Sequence, residues 1–129
     1  MNIVFTAEPR MNSETLKQIA VAALEDIKAR DIVVMNVARL TSIAEYMIVA
    51  SGESARQTKA LARNVTEKVK EAGGEVLGVE GEENGEWILV DLGGVIVHVM
   101  HPAVREYYNL EELWGASPGR ARKTAGSAQ

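Results

Sequence analysis

Two histidines, His98 and His101, are the only imidazoles in a chain that has no cysteine. Acid–base or metal chemistry would have to be built on them and on carboxylates. His98 lies in the run Trp87-Ile-Leu-Val-Asp-Leu-Gly-Gly-Val-Ile-Val-His-Val-Met100, which reads as two strands around Gly93-Gly94. Two glycines suit the primed turns that match strand twist. With that turn, Asp91 faces Ile96, Leu89 faces His98 and Trp87 faces Met100. Side chains alternate between the faces of a strand. One face then carries Ile88, Val90, Leu92, Val95, Val97 and Val99, all aliphatic. The other carries Trp87, Leu89, Asp91, Ile96, His98 and Met100. Asp91 and His98 are diagonal neighbours on that second face, a spacing of about 7–8 Å. No serine shares the face, so a nucleophilic triad is disfavoured. His98 reads instead as a recognition or packing residue.

The other constellations are weaker. His98 and His101 do not form a chelating pair on a strand, and no thiolate is present to complete a metal site. Ser51-Gly52-Glu53-Ser54 could offer a helix N-terminus to an anion. It matches neither GxGxxG nor GxxxxGK[ST], and Glu53 occupies the would-be pocket. Ser54 and Gln57 fit a capping box better. No cofactor is expected. A surface that mixes Trp87, Leu89, Asp91, His98 and Met100 fits a protein partner, which needs apolar anchors and polar contacts together.

The elements that would carry this hairpin are legible from periodicity. Ser13 is the expected N-cap of a first helix, with Leu16, Ile19, Ala20, Ala23, Leu24 and Ile27 at helical spacing. It runs to about Ala29-Arg30. Ile32 to Val37 and Tyr46 to Ala50 are the first two strands, apolar enough to be buried on both faces. A second helix follows, with Thr58, Leu61, Ala62, Val65 and Val69 as its buried stripe, closed by Gly73-Gly74. Val76 to Val79 is a third strand. An acidic loop from Gly81 to Gly85 leads into the hairpin. Pro102 opens a short helix, and Asn109 caps a last turn from Leu110 to Trp114. Tyr107, Tyr108 and Trp114 are expected to anchor these last turns to the sheet, and Arg105 to pair with Asp91 or a nearby Glu. The order predicts a single α/β layered domain with a mixed five-stranded sheet. Residues 1–12 read as an extension, 13–114 as the domain, and 115–129 as a disordered tail.

Composition fits a globular domain: 129 residues, 47% hydrophobic and 25% charged. No apolar run reaches the roughly 18 residues of a membrane span. The net charge of −4 is not that of a typical nucleic-acid binder. From Glu71 to Val104 there is no Lys or Arg, while Glu71, Glu75, Glu80, Glu82, Glu83, Glu86 and Asp91 lie within that stretch. Such a surface steers toward a basic partner. The apolar content of the second hairpin face also predicts a homodimer when no partner is present. The absence of cysteine fits a reducing compartment, the cytoplasm.

The series Asp31-Ile-Val-Val34, Tyr46-Met-Ile-Val-Ala-Ser-Gly52, Ser54-Ala-Arg-Gln57, Gly78-Val-Glu-Gly81, Trp87-Ile-Leu-Val-Asp-Leu-Gly93, Val95-Ile-Val-His-Val-Met100 and Arg105-Glu-Tyr-Tyr-Asn-Leu-Glu-Glu-Leu-Trp114 resembles the ribosomal silencing factor family, RsfS or Iojap. The likeness runs in order from about Leu16 to Trp114. It implies a non-enzymatic factor that binds the large ribosomal subunit through its protein L-fourteen, blocks joining of the small subunit and damps translation when nutrients are short. It also implies a nucleotidyltransferase-like fold that lacks the catalytic carboxylate pair. Here Asp91 is followed by Leu92 and Gly93, and no such pair is present. The implied binding residues fall on Trp87, Asp91, His98 and Met100, and the hairpin face adds Leu89. The chain departs from the family at Asn36 and Gly94, where an Asp is usual, and at Leu92, where an aromatic is common.

Overall fold

A computed structural model describes residues 11–114. The elements are α1 (Ser13–Asp26), β1 (Arg30–Asn36), β2 (Tyr46–Ser51), α2 (Ala55–Glu71), β3 (Gly78–Glu80), β4 (Trp87–Asp91), β5 (Val95–Met100), α3 (Pro102–Tyr108) and α4 (Leu110–Leu113). The strands form one sheet in the order β1-β2-β5-β4-β3. Only β2 and β5 run parallel, and the other three pairs are antiparallel. This is the mixed five-stranded sheet expected of the sequence. The expected tail after Gly115, and the part of the extension before Met11, lie outside the described residues.

The start of α1 differs from expectation. Asn12, not Ser13, is the N-cap, and its side chain accepts from the Thr15 N–H at 2.8 Å. Asn12 has the extended backbone of an N-cap, at φ −77° and ψ 163°, and Ser13 becomes the first helical residue. Met11 packs against the core beside it. Both residues therefore belong to the domain rather than to an extension. The helix also stops at Asp26, short of Ala29. Lys28, at φ 66°, breaks the helical path, and Ala29 donates to the Leu24 carbonyl.

At α2 the capping box forms with one shift. The Ser54 hydroxyl accepts from Gln57 N–H at 3.1 Å, while the Gln57 amide oxygen accepts from Glu53 N–H at 2.8 Å. Its amide nitrogen donates to the carbonyls of Ile27 and Lys28. One residue thus ties the entrance of α2 to the exit of α1. Gly73, at φ +91°, follows the end of α2, a conformation glycine adopts without strain.

The two helices cover one face of the sheet. Leu16, Ala20 and Leu24 of α1 and Leu61, Val65 and Val69 of α2 pack with Ile48, Ile88, Val90, Val97 and Val99. The opposite face has a separate cluster of Val33, Met35, Met47, Val49 and Met100, covered by Leu110, Val104 and Trp114. Among the described residues, that second layer is made by α3, α4 and the adjoining Trp114.

Candidate functional site

The hairpin register is the one the sequence implies. Trp87 pairs with Met100, Ile88 with Val99, Leu89 with His98, Val90 with Val97 and Asp91 with Ile96. Gly93 alone of the two loop residues has positive φ, +92°. Positive φ at the first central position is what a type II′ turn requires. The Asp91 carboxylate accepts from Gly93 N–H at 2.9 Å and fastens the turn from outside. Trp87 and Val97 therefore lie on opposite faces, and the aliphatic set is buried under α1 and α2.

Pairing extends the second face into rungs across the sheet. One rung runs Val33, Val49, His98, Leu89, Glu80, and the next runs Met35, Met47, Ile96, Asp91, Gly78. Side chains at the β1 and β2 end of these rungs are buried. Trp87, Leu89, Asp91 and Ile96 remain half-buried, and Glu80 is exposed. An open patch is thus left on β4 and β5, bordered by the exposed Glu80, Glu82, Glu83 and Glu86.

His98 sits inside this patch rather than on it, with 6% of its surface exposed. Its Nδ1 accepts from the Trp87 indole N–H at 3.0 Å. The indole nitrogen can only donate, so Nδ1 carries no proton. The proton is then on Nε2, which points at Met47 Sδ, 3.0 Å away. Both ring nitrogens are engaged, and the neutral ring is the form that fits. Burial pushes the imidazole down to about 4. The two partners are the diagonal neighbours on either side of His98. Asp91, also diagonal, is turned to the hairpin loop instead. No Asp91–His98 dyad forms.

Met100 is fully buried, at 0% exposure. Met100 and His98, both expected to meet a partner, are buried, and the Trp87 indole is bonded to His98. Trp87, Leu89 and Asp91 are the expected site residues that reach solvent.

Two further residues join them. The Tyr108 ring lies 4.8 Å from Trp87, centroid to centroid, and Tyr107 meets Tyr108 edge-on at 4.9 Å. Tyr107 is 81% exposed. The sequence reading made it an anchor to the sheet; the helix turns it outward instead, extending the aromatic patch. Arg105, not Tyr107, is the buried residue of α3. The Arg105 guanidinium donates to the Glu111 carboxylate at 2.8 and 3.1 Å and to the Ser51 hydroxyl at 2.9 Å, all three groups buried. That network locks α3 and α4 to the end of β2 and so holds Tyr108 against Trp87. Glu111 is the partner that the sequence left open for Arg105.

Among the described residues no three His, Asp or Glu side chains could hold a metal ion together. No described helix is long and apolar enough to cross a membrane.

Comparison with known proteins identifies the family. The family model "Ribosomal silencing factor during starvation" matches residues 10–128, a span that continues past Trp114 into the segment the sequence reading set outside the likeness. The chain is 54% identical to "Ribosomal silencing factor RsfS" of Chromobacterium violaceum, over 81% of this chain and 86% of that one. It is 41% identical to the protein of the same name from Bacillus subtilis, over 84% and 92%. A crystal structure of a Chromobacterium violaceum protein superposes with a TM-score of 0.80 at 53% identity, covering 84% of this chain and 91% of the other. The protein belongs to the ribosomal silencing factor family.

Proposed function

We propose that this protein docks on the large ribosomal subunit through the patch of Trp87, Leu89, Asp91 and Ile96, with Tyr108 beside it, and so excludes the small subunit. The docking partner in this reading is the basic ribosomal protein L-fourteen. The protein acts by occupying space and catalyses nothing. The observation that supports it is the half-open apolar patch inside an acidic rim, in a chain of this family. Carboxylates of Glu80, Glu82, Glu83 and Glu86 raise the encounter rate with a cationic surface and lose strength with salt. Trp87 and its neighbours supply the retained affinity. In the free protein the same patch joins two copies, since an open Trp–Leu–Ile surface is costly in water. The cytoplasm, where subunits meet, is the place of action.

Subunit reassociation on a sucrose gradient tests the reading. Wild-type protein in excess should hold the subunits apart. Asp91→Lys should fail to, because it sets like charges against each other. Trp87→Ala should weaken binding by about 2 kcal/mol or more. Unchanged reassociation with wild-type protein, or full activity of Asp91→Lys, would refute the docking patch.

A further inference from the structure

The last described residue stands on the face that carries the docking patch. Trp114 and Trp87 pack against the same cluster, that of Met47, Val49 and Met100. The chain therefore continues from the Trp87 side of the sheet. The elements of that side are poor in cations. From Glu71 to Trp114 the only Lys or Arg is Arg105. Arg105 is buried and committed to Glu111 and Ser51.

Exposed carboxylates border the patch with no cation to meet them. Glu80 pairs with Leu89 and so shares its face, since cross-strand partners point the same way. Glu82 and Glu83 lie in the loop that joins β3 to β4, and Glu86 adjoins Trp87. None of Glu80, Glu82, Glu83 and Glu86 forms an ion pair among the described residues. Like charges so close together repel, and a cation among them relieves the repulsion.

The same chain supplies cations within reach. Residues 115–129 hold Arg120, Arg122 and Lys123 and no Asp or Glu. An extended chain spans about 3.3–3.6 Å per residue, so Arg120 can lie up to about 20 Å from Trp114 and Lys123 up to about 30 Å. Strands about 4.8 Å apart put the two edges of a five-stranded sheet only about 19 Å from each other. We infer that residues 120–123 lie across the acidic rim of their own domain, in the place of a partner's basic surface. Exposed ion pairs are individually weak. Tethering offsets this, because a short linker keeps the segment at an effective concentration of roughly millimolar. A partner can displace such a contact, but it meets a screened rim until the segment leaves. That consequence rests on the docking reading above; the contact itself does not.

A nitroxide on Ala121→Cys tests the contact, in a chain that has no other cysteine. At low salt it should broaden the amide signals of residues 80–86. The broadening should fade at high salt and in E80Q/E82Q/E83Q/E86Q, whose fold a melting curve checks. Broadening spread evenly over the domain, or undiminished in the quadruple variant, would overturn the contact. The consequence is read in the rate of association with purified large subunits. R120Q/R122Q/K123Q should dock about threefold to tenfold faster at low salt and no faster at high salt. R56Q/K59Q/R63Q is the control of equal net charge, because its cations lie on α2, over the opposite face. An equal gain in that control would assign the effect to net charge and overturn the shielding. So would slower docking of R120Q/R122Q/K123Q, the result expected if the segment grips ribosomal RNA instead. Wild type that fails to bind large subunits while the local broadening persists would bring down the docking reading and leave the contact standing.

Discussion

The two faces of the sheet are built from the same five strands and differ in nearly everything else. Toward α1 and α2, the central rungs are aliphatic and closed: Ile48, Val97 and Val90 lie side by side with no exposed surface. Toward α3 and α4, the rungs hold methionine, tryptophan, imidazole and carboxylate, and the two covering helices hold a buried ion pair. The first face has two long helices over it, of 14 and 17 residues, and the second has two short ones, of 7 and 4. A hydrophobic face gains stability roughly in proportion to the area it hides and specifies little. A polar network gains little net stability, but it fixes which group sits where. On the proposed docking reading, the contrast gives folding to one face and recognition to the other.

The largest expected effect comes from the recognition side, where stability hangs on one bond. Glu111→Ala should cost about 3–5 kcal/mol, because Arg105 would remain buried with only the Ser51 hydroxyl. Urea unfolding measures it. R105M/E111L, which removes both charges, should recover most of the loss. If the double variant is as unstable as the single, the network contributes more than mutual neutralisation. On the folding side, Leu61→Ala should cost about 2–5 kcal/mol through lost burial and the cavity left behind. Subunit binding per folded molecule should not change. A loss of binding there would break the division between the faces.

The folding face was legible in the sequence and the recognition face only partly so. Alternation of Ile88, Val90, Val97 and Val99 around Gly93-Gly94 fixes a register uniquely, because a slip of one residue would turn every aliphatic side chain outward. The stripe on α2 is equally explicit, since five apolar or small residues recur at helical spacing. What stayed open in the sequence clusters where a tertiary contact decides. Nothing near Arg105 in sequence says that Glu111, six residues on, will be buried with it rather than Asp91. Nothing near His98 says that it will turn to Trp87 and Met47. Tyr107 followed composition rather than angle: aromatics usually go inside, but this one is about half a turn from buried Arg105 on α3. At the start of α1, Asn12 and Ser13 are both good caps, and one residue of backbone geometry chooses between them.

The next effect is carried by pH. The folded value of His98 is depressed to about 4, against 6.5 for a free histidine. A depressed value means that folding favours the neutral ring, so its contribution is fully present above pH 6.5. It declines as pH falls toward 4 and is gone below, at most about 3 kcal/mol in total. Protonation would also set an N–H on Nδ1 against the indole N–H of Trp87. Unfolding at pH 7 and pH 5 should therefore differ in wild type by more than in His98→Gln, which does not titrate. The indole fluorescence of Trp87 in the folded protein should shift near pH 4, where the buried ring takes its proton. Parallel pH profiles for the two proteins would show that His98 does not hold the tryptophan through its neutral form.

The smallest effect on stability should separate the two faces most cleanly. Tyr107 is exposed over most of its surface and touches the rest of the protein through the edge of Tyr108. Exposed side chains of this kind change stability by no more than about 0.5 kcal/mol when replaced. Tyr107→Ser should accordingly leave the melting curve nearly unmoved. If Trp87, Tyr108 and Tyr107 form one aromatic surface, the same substitution should weaken subunit binding about fivefold to tenfold, as loss of a peripheral contact beside a central anchor. Tyr108→Ser gives the intermediate case: it strips the ring that packs on Trp87, so it should lower both stability and binding. A Tyr107→Ser protein with unchanged stability and unchanged binding would confine the docking surface to β4 and β5 and leave α3 as no more than a support for Trp87.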